Sequence, residues 1–146
     1  MRLLSLLVLA GTLALATNAA FAGPAAPPTP FLVSIQSVPD GAFTATGHSL
    51  CPSGRASTPF AALARTFPDG SLDIDVNKTF VCDDGTGSFD MLLFVRLKLI
   101  NGQFTNNFRW MITNGTGAYE ELAGSGTGEG VTVDGRALDL YTGRTG

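Results

Sequence analysis

From Phe89 to Leu99 every second residue is apolar: Phe89, Met91, Leu93, Val95, Leu97 and Leu99, with Asp90, Arg96 and Lys98 among the positions between. Alternation of this kind puts successive side chains on opposite faces of an extended chain, so the run predicts a strand with one dry face. The pattern recurs on either side. Leu72, Ile74, Val76 and Phe80 share a face with Lys78, opposite Ser71, Asp73, Asp75, Asn77 and Thr79. Beyond Asn101-Gly102, Phe104, Phe108, Trp110 and Ile112 share a face with Asn106, opposite Gln103, Thr105, Asn107 and Arg109. No segment keeps the i, i+3, i+4 spacing of a helix over three turns. The single helical candidate, 118–123, is about one turn closed by Gly124.

Turn signals punctuate these runs at Pro39-Asp40-Gly41, Pro52-Ser53-Gly54, Pro68-Asp69-Gly70, Asp83-Asp84-Gly85, Asn101-Gly102, Asn114-Gly115 and Asp134-Gly135. Asn-Gly and Asp-Gly suit tight hairpins because both residues tolerate positive φ. Seven turns imply about eight strands, spaced too closely for parallel crossovers. Long strands with one apolar face and little else to cover it require closure. The expected fold is all-β, an antiparallel up-and-down β-barrel of about eight strands, with a two-sheet β-sandwich as the alternative.

The N-terminal part reads differently. Arg2 is the only charge in the first thirty residues, and an apolar run from Leu3 to Ala16 leads to Ala20-Phe21-Ala22. This is the layout of a secretory signal peptide over 1–22, cleaved near Ala22, and the run is too short for a membrane span. Residues 23–30 carry Pro24, Pro27, Pro28 and Pro30 and read as a stiff linker, leaving 31–146 as one barrel domain. The expected location is therefore extracellular or periplasmic, with no membrane attachment after cleavage. In an oxidising compartment two cysteines with no spare thiol favour one disulfide, Cys51–Cys82. The chain has a net charge of −3, or −4 without Arg2, so it lacks the clustered cations of a nucleic-acid binder.

The segment 115–130 contains Gly115, Gly117, Gly124, Gly126, Gly128 and Gly130. A phosphate cradle fails on spacing, and no Gly-Lys-Ser/Thr occurs. The last four glycines fall at strict period two, which on a strand bares one face of the backbone for close packing. The string Trp110-x-Ile112-x-x-Gly115-Thr116-Gly117-Ala118-Tyr119, followed by Leu122-x-Gly124-x-Gly126-x-Gly128 and Tyr141-Thr-Gly, resembles bacterial exported proteins of the allene oxide cyclase/dirigent barrel group. Cys51-Pro52-Ser53-Gly54 and Phe80-x-Cys82-x-Asp84-Gly85-x-Gly87-x-Phe89 fit the same pattern. The resemblance implies an eight-stranded antiparallel barrel, a homo-oligomer (trimer or dimer), and either cofactor-free cyclase activity or a non-enzymatic role. Its motifs are turn and packing residues, and no catalytic residue of the characterised enzymes maps onto this chain.

His48 is the only histidine, so a histidine-rich metal site is excluded and no metal or cofactor is expected. Lys78 and Asn106 stand out because each is in phase with an apolar face. Together with Phe104, Phe108 and Trp110 they form a candidate pocket, mostly apolar with a few polar groups. A desolvated Lys78 without a partner would favour ligands bearing a carboxylate or carbonyl. The sequence thus leads to a small exported barrel that binds an apolar small molecule or a protein partner, with a cofactor-independent cyclase or isomerase as the alternative.

Overall fold

The computed structural model describes residues 31–37, 41–133 and 136–146. The signal-peptide and linker readings, most of the turn at 39–41 and the turn at 134–135 lie outside them. Eight strands make up the domain: β1 (Phe31–Ser37), β2 (Ala42–Thr46), β3 (Ser53–Thr66), β4 (Leu72–Cys82), β5 (Gly87–Ile100), β6 (Gln103–Gly117), β7 (Gly124–Val133) and β8 (Arg136–Thr145). Each pairs antiparallel with the next, and β8 returns to β1, so the sheet closes into an up-and-down barrel. Closure gives every strand two neighbours, although among the described residues β3 beyond Ala56 is paired only with β4 and keeps a free edge there.

The register shows how the barrel is wound. Starting at Leu72, the pairing passes through Leu97, Asn106, Gly130, Asp139, Ser37, Phe43 and Gly54, and regains β4 at Cys82, ten residues along. A shear of that size in eight strands tilts them by roughly 40° to the axis. Opposite-face alternation then sends Phe80, Phe89, Met91, Leu93, Phe108, Trp110 and Tyr141 into a buried interior. The three long apolar faces expected from the sequence are all inner faces.

Three tight turns form as the sequence suggests, one of them at Pro68-Asp69-Gly70, where Gly70 takes φ 80° and Asp69 Oδ1 accepts from the Ser71 backbone N–H at 3.0 Å. Asn101 and Gly102 both take positive φ, 51° and 78°, between β5 and β6. In the β4–β5 turn, Asp84 Oδ1 accepts from the Thr86 backbone N–H at 3.0 Å. Asn114-Gly115 is a correction. It lies within β6, where Asn114 pairs with Asp90, and the chain turns only after Gly117. Pairing with the long β5 overrides the local turn signal, and Gly115 serves close packing instead, since a Cβ there would strike the Tyr119 carbonyl. The predicted helical turn at 118–123 is a second correction. It is a non-helical connection held by Tyr119 N–Thr116 O and Leu122 N–Tyr119 O bonds of 3.1 and 3.0 Å. Pro52-Ser53-Gly54 is a third, because β3 already starts at Ser53 and the β2–β3 connection is 47–52.

The two barrel ends differ. One is stoppered by Leu50, Tyr119 and the Cys51–Cys82 pair, whose sulfurs are at bonding distance, 2.04 Å. The other is uneven: β1 and β2 span 7 and 5 residues, whereas β3, β5 and β6 span 14, 14 and 15. The wall of β3–β6 therefore stands beyond the opposite wall by roughly 15 Å, from strand rise and tilt.

Candidate functional site

Three layers occupy the lumen from the stoppered end to the tall wall. The lowest is aromatic. Phe80 stacks on Phe89 at 5.0 Å, Phe43 meets Phe80 edge-on at 5.2 Å, and Phe108 meets Tyr141 at 4.9 Å. Trp110 belongs to this packed layer. Its indole N–H donates to the Thr127 carbonyl at 3.1 Å, and its ring lies against Gly126 and Gly143. The glycines of β7 make that possible: a Cβ at Gly126 would come within 2.7 Å of the Trp110 ring, and one at Gly128 would strike Phe108. Phe108 and Trp110, expected as pocket residues, are thus floor.

Above the floor lies a polar layer. Lys78 points inward as its phase predicts, and its Nζ sits 3.4 Å from Asp139 Oδ2, with the two side chains 5% and 14% exposed. The ammonium is therefore paired, which corrects the expectation of an unpartnered cation seeking an acidic ligand. Asp139 comes from β8, where it is the register partner of Ser37 on one side and Gly130 on the other. The Asn106 side chain lies over Gly130, filling the space a Cβ there would take. Tyr141, two residues from Asp139, is fully buried, and so is Ser37. Burial pushes the Tyr141 hydroxyl well above the ordinary tyrosine range and the Asp139 charge pushes the same way, so it stays protonated. Among the described residues, three buried side-chain atoms lack a hydrogen-bond partner: Ser37 Oγ, Asn106 Oδ1 and Tyr141 Oη. All three belong to this layer. Buried polar atoms are nearly always paired, so their coincidence in one place is informative.

The uppermost layer is apolar and open. Leu72, Ile74, Val76, Val95 and Leu97 are half-buried on the inner face of the tall wall. Leu63, Leu99 and Phe104 are in the same phase at its rim, with 62%, 59% and 65% of their surface exposed. Phe104, the remaining pocket candidate, is thus a rim residue, while Lys78 and Asn106 lie deeper in the polar layer.

A cavity of about 850 Å3 is lined mostly by outward-facing residues of β4–β8 such as Asp75, Phe94, Arg109 and Glu129, and in part by Ile74, Val95 and Phe108. Its most ordered charges are already spent on each other. Arg96 binds both carboxylate oxygens of Asp73, through Nε and through an NH2 group 3.1 Å away, and stacks on Phe67 at 4.1 Å. The lumen differs from this solvated groove in that its polar atoms are buried.

Compared with protein-family models, curated proteins and solved structures, the chain matches none.

Proposed function

We propose that this barrel is an exported carrier or binder of an apolar small molecule, held on the inner face of the tall wall. The observation that carries the reading is the phase of the exposed rim. Leu63, Leu99 and Phe104 point to the lumen side yet are more than half exposed, next to a continuous apolar inner surface. A one-sided apolar shelf leading down to a few polar groups is the usual make-up of a small-molecule site. Kinship with the allene oxide cyclase/dirigent group is part of this proposal, and rests on the 110–119 and 124–128 motifs. Export rests on the leader pattern, with which the Cys51–Cys82 pair is compatible. A cofactor-independent cyclase or isomerase is the second reading, favoured by the buried Lys78–Asp139 pair beside the Tyr141 hydroxyl, which would orient a reacting group.

The test is titration with Nile red, whose emission rises and shifts to the blue on leaving water. The protein is expected to bind it, and the Leu99→Glu/Phe104→Glu double variant, altered only at exposed positions, is expected to lose at least tenfold in affinity. Equal affinity in the two proteins would place the dye elsewhere and defeat the reading.

A further inference from the structure

The polar layer has a composition that selects among apolar ligands. Lys78 and Asp139 neutralise each other at 3.4 Å, so the pair offers no net charge to a newcomer. Beside it, Tyr141 Oη, Ser37 Oγ and the amide oxygen Asn106 Oδ1 make no hydrogen bond of good geometry, the two hydroxyls facing each other and Asp139. Each hydroxyl both donates and accepts, and the amide accepts through its oxygen and donates through its nitrogen. All of them lie beside the buried ion pair at the foot of the apolar shelf.

We infer that this layer receives the head of an amphiphile bearing a neutral hydroxyl or carbonyl group, and that it rejects carboxylates and amines. The inference rests on the ligand-binding reading above. A carboxylate head would bring a second anion next to Asp139 at a site where Lys78 is already engaged. An ammonium head would meet Lys78 with no free carboxylate to balance it. Either ion also leaves water for a partly desolvated site without a counter-charge, which is costly. An alcohol avoids both penalties. It accepts from Tyr141 or Ser37, donates to Asn106, and satisfies the amide in either orientation. A ketone accepts from the hydroxyls and cannot donate, so it ranks second.

Isothermal titration with four eight-carbon compounds at pH 7 separates these cases: 1-octanol, 2-octanone, octanoate and octylammonium. Octanol is expected to bind at least tenfold more tightly than either ion, with octanone between. Tyr141→Phe keeps the ring and removes the hydroxyl, so it is expected to weaken octanol at least fivefold while affinity for the pure hydrocarbon dye diphenylhexatriene, which has no group to accept or donate a hydrogen bond, stays within twofold. Ser37→Ala gives an independent second reading in the same direction. Octanoate or octylammonium binding as tightly as octanol would overturn the inference. So would octanol affinity unchanged in both variants. Nile red binding without any preference for octanol retires the head-group selection and leaves the apolar site standing. Failure of Nile red and all four octyl compounds retires both.

Discussion

Asp139 is the residue that changes the meaning of Lys78, and nothing near either of them announces it. Sixty-one positions separate the two, and around Asp139 the apolar alternation is carried by Leu138 and Leu140, which face outward. The inner face of β8 is instead Asp139, Tyr141 and Gly143, a set that looks solvent-facing until the barrel closes. Lys78 itself was legible, because its phase with Val76 and Phe80 holds through the whole of β4. Lys78→Met is therefore expected to destabilise the protein by about 3 kcal/mol, by stranding a buried carboxylate. Adding Asp139→Leu should recover most of that loss, and chemical denaturation of the single and double variants measures both. Tyr141→Phe is expected to cost about 1 kcal/mol in the unliganded protein, because the hydroxyl it removes lies against Ser37 and the Asp139 carboxylate. The turn aspartates add an acid-sensitive contribution. Hydrogen bonds from Thr86 hold Asp84 below its ordinary value of 3.8, and those from Ser71 do the same for Asp69. A carboxylate with a lowered folded-state pKa contributes stability above its unfolded value and loses it as pH falls through the folded one. The thermal midpoint is expected to fall modestly below pH 4, and slightly less in Asp84→Asn.

At the scale of elements, strands with strict alternation were readable because one buried face is enough to specify them, as β4, β5 and β6 show. The same logic fails where local chemistry competes with a long partner. Asn114-Gly115 has the residues of a hairpin turn, but β5 offers ladder partners as far as Gly87, opposite Gly117, so β6 continues. The alternating glycines of β7 were legible as a demand for close approach, though not as to what approaches. They meet Trp110, Phe108 and Asn106 from β6 and the backbone of β8. A side chain at Gly128 would strike both the Phe108 ring and the Leu140 carbonyl, so trimming the ring alone cannot make room. Gly128→Ala is expected to cost about 3 kcal/mol, and Gly128→Val to prevent accumulation of folded protein. Phe108→Ala should not rescue either variant, because the backbone clash remains. A Gly128→Ala protein with an unchanged midpoint in urea would show that β7 and β8 can separate at little cost.

For the molecule as a whole, the stoppered and open ends give the barrel a direction, and the disulfide sits at the stoppered one. Cys51 lies next to last in the β2–β3 connection and Cys82 ends β4, so the bond pins that loop beneath the aromatic floor. The floor reaches it directly through Phe43, which pairs with Gly54, itself the partner of Cys82. Cross-linking positions 31 residues apart is expected to contribute roughly 3–4 kcal/mol, chiefly by restricting the unfolded chain. Reduction should therefore lower the unfolding free energy by that amount while the far-ultraviolet strand signal persists, because closure depends on eight paired strands and not on the bond. The loss should also be directional. Amide exchange is expected to quicken first in 47–54 and in the 83–87 turn, where the pinned loop and the end of β4 lose their tie. Protection along 72–78 and 93–99 should change last, since those segments are paired on both sides, far from the bond. If the open end exchanged as fast as the stoppered one after reduction, the disulfide would be holding the whole barrel rather than its base. Nile red binding should then fall with it, whereas an effect confined to the base would leave binding within twofold of the oxidised protein.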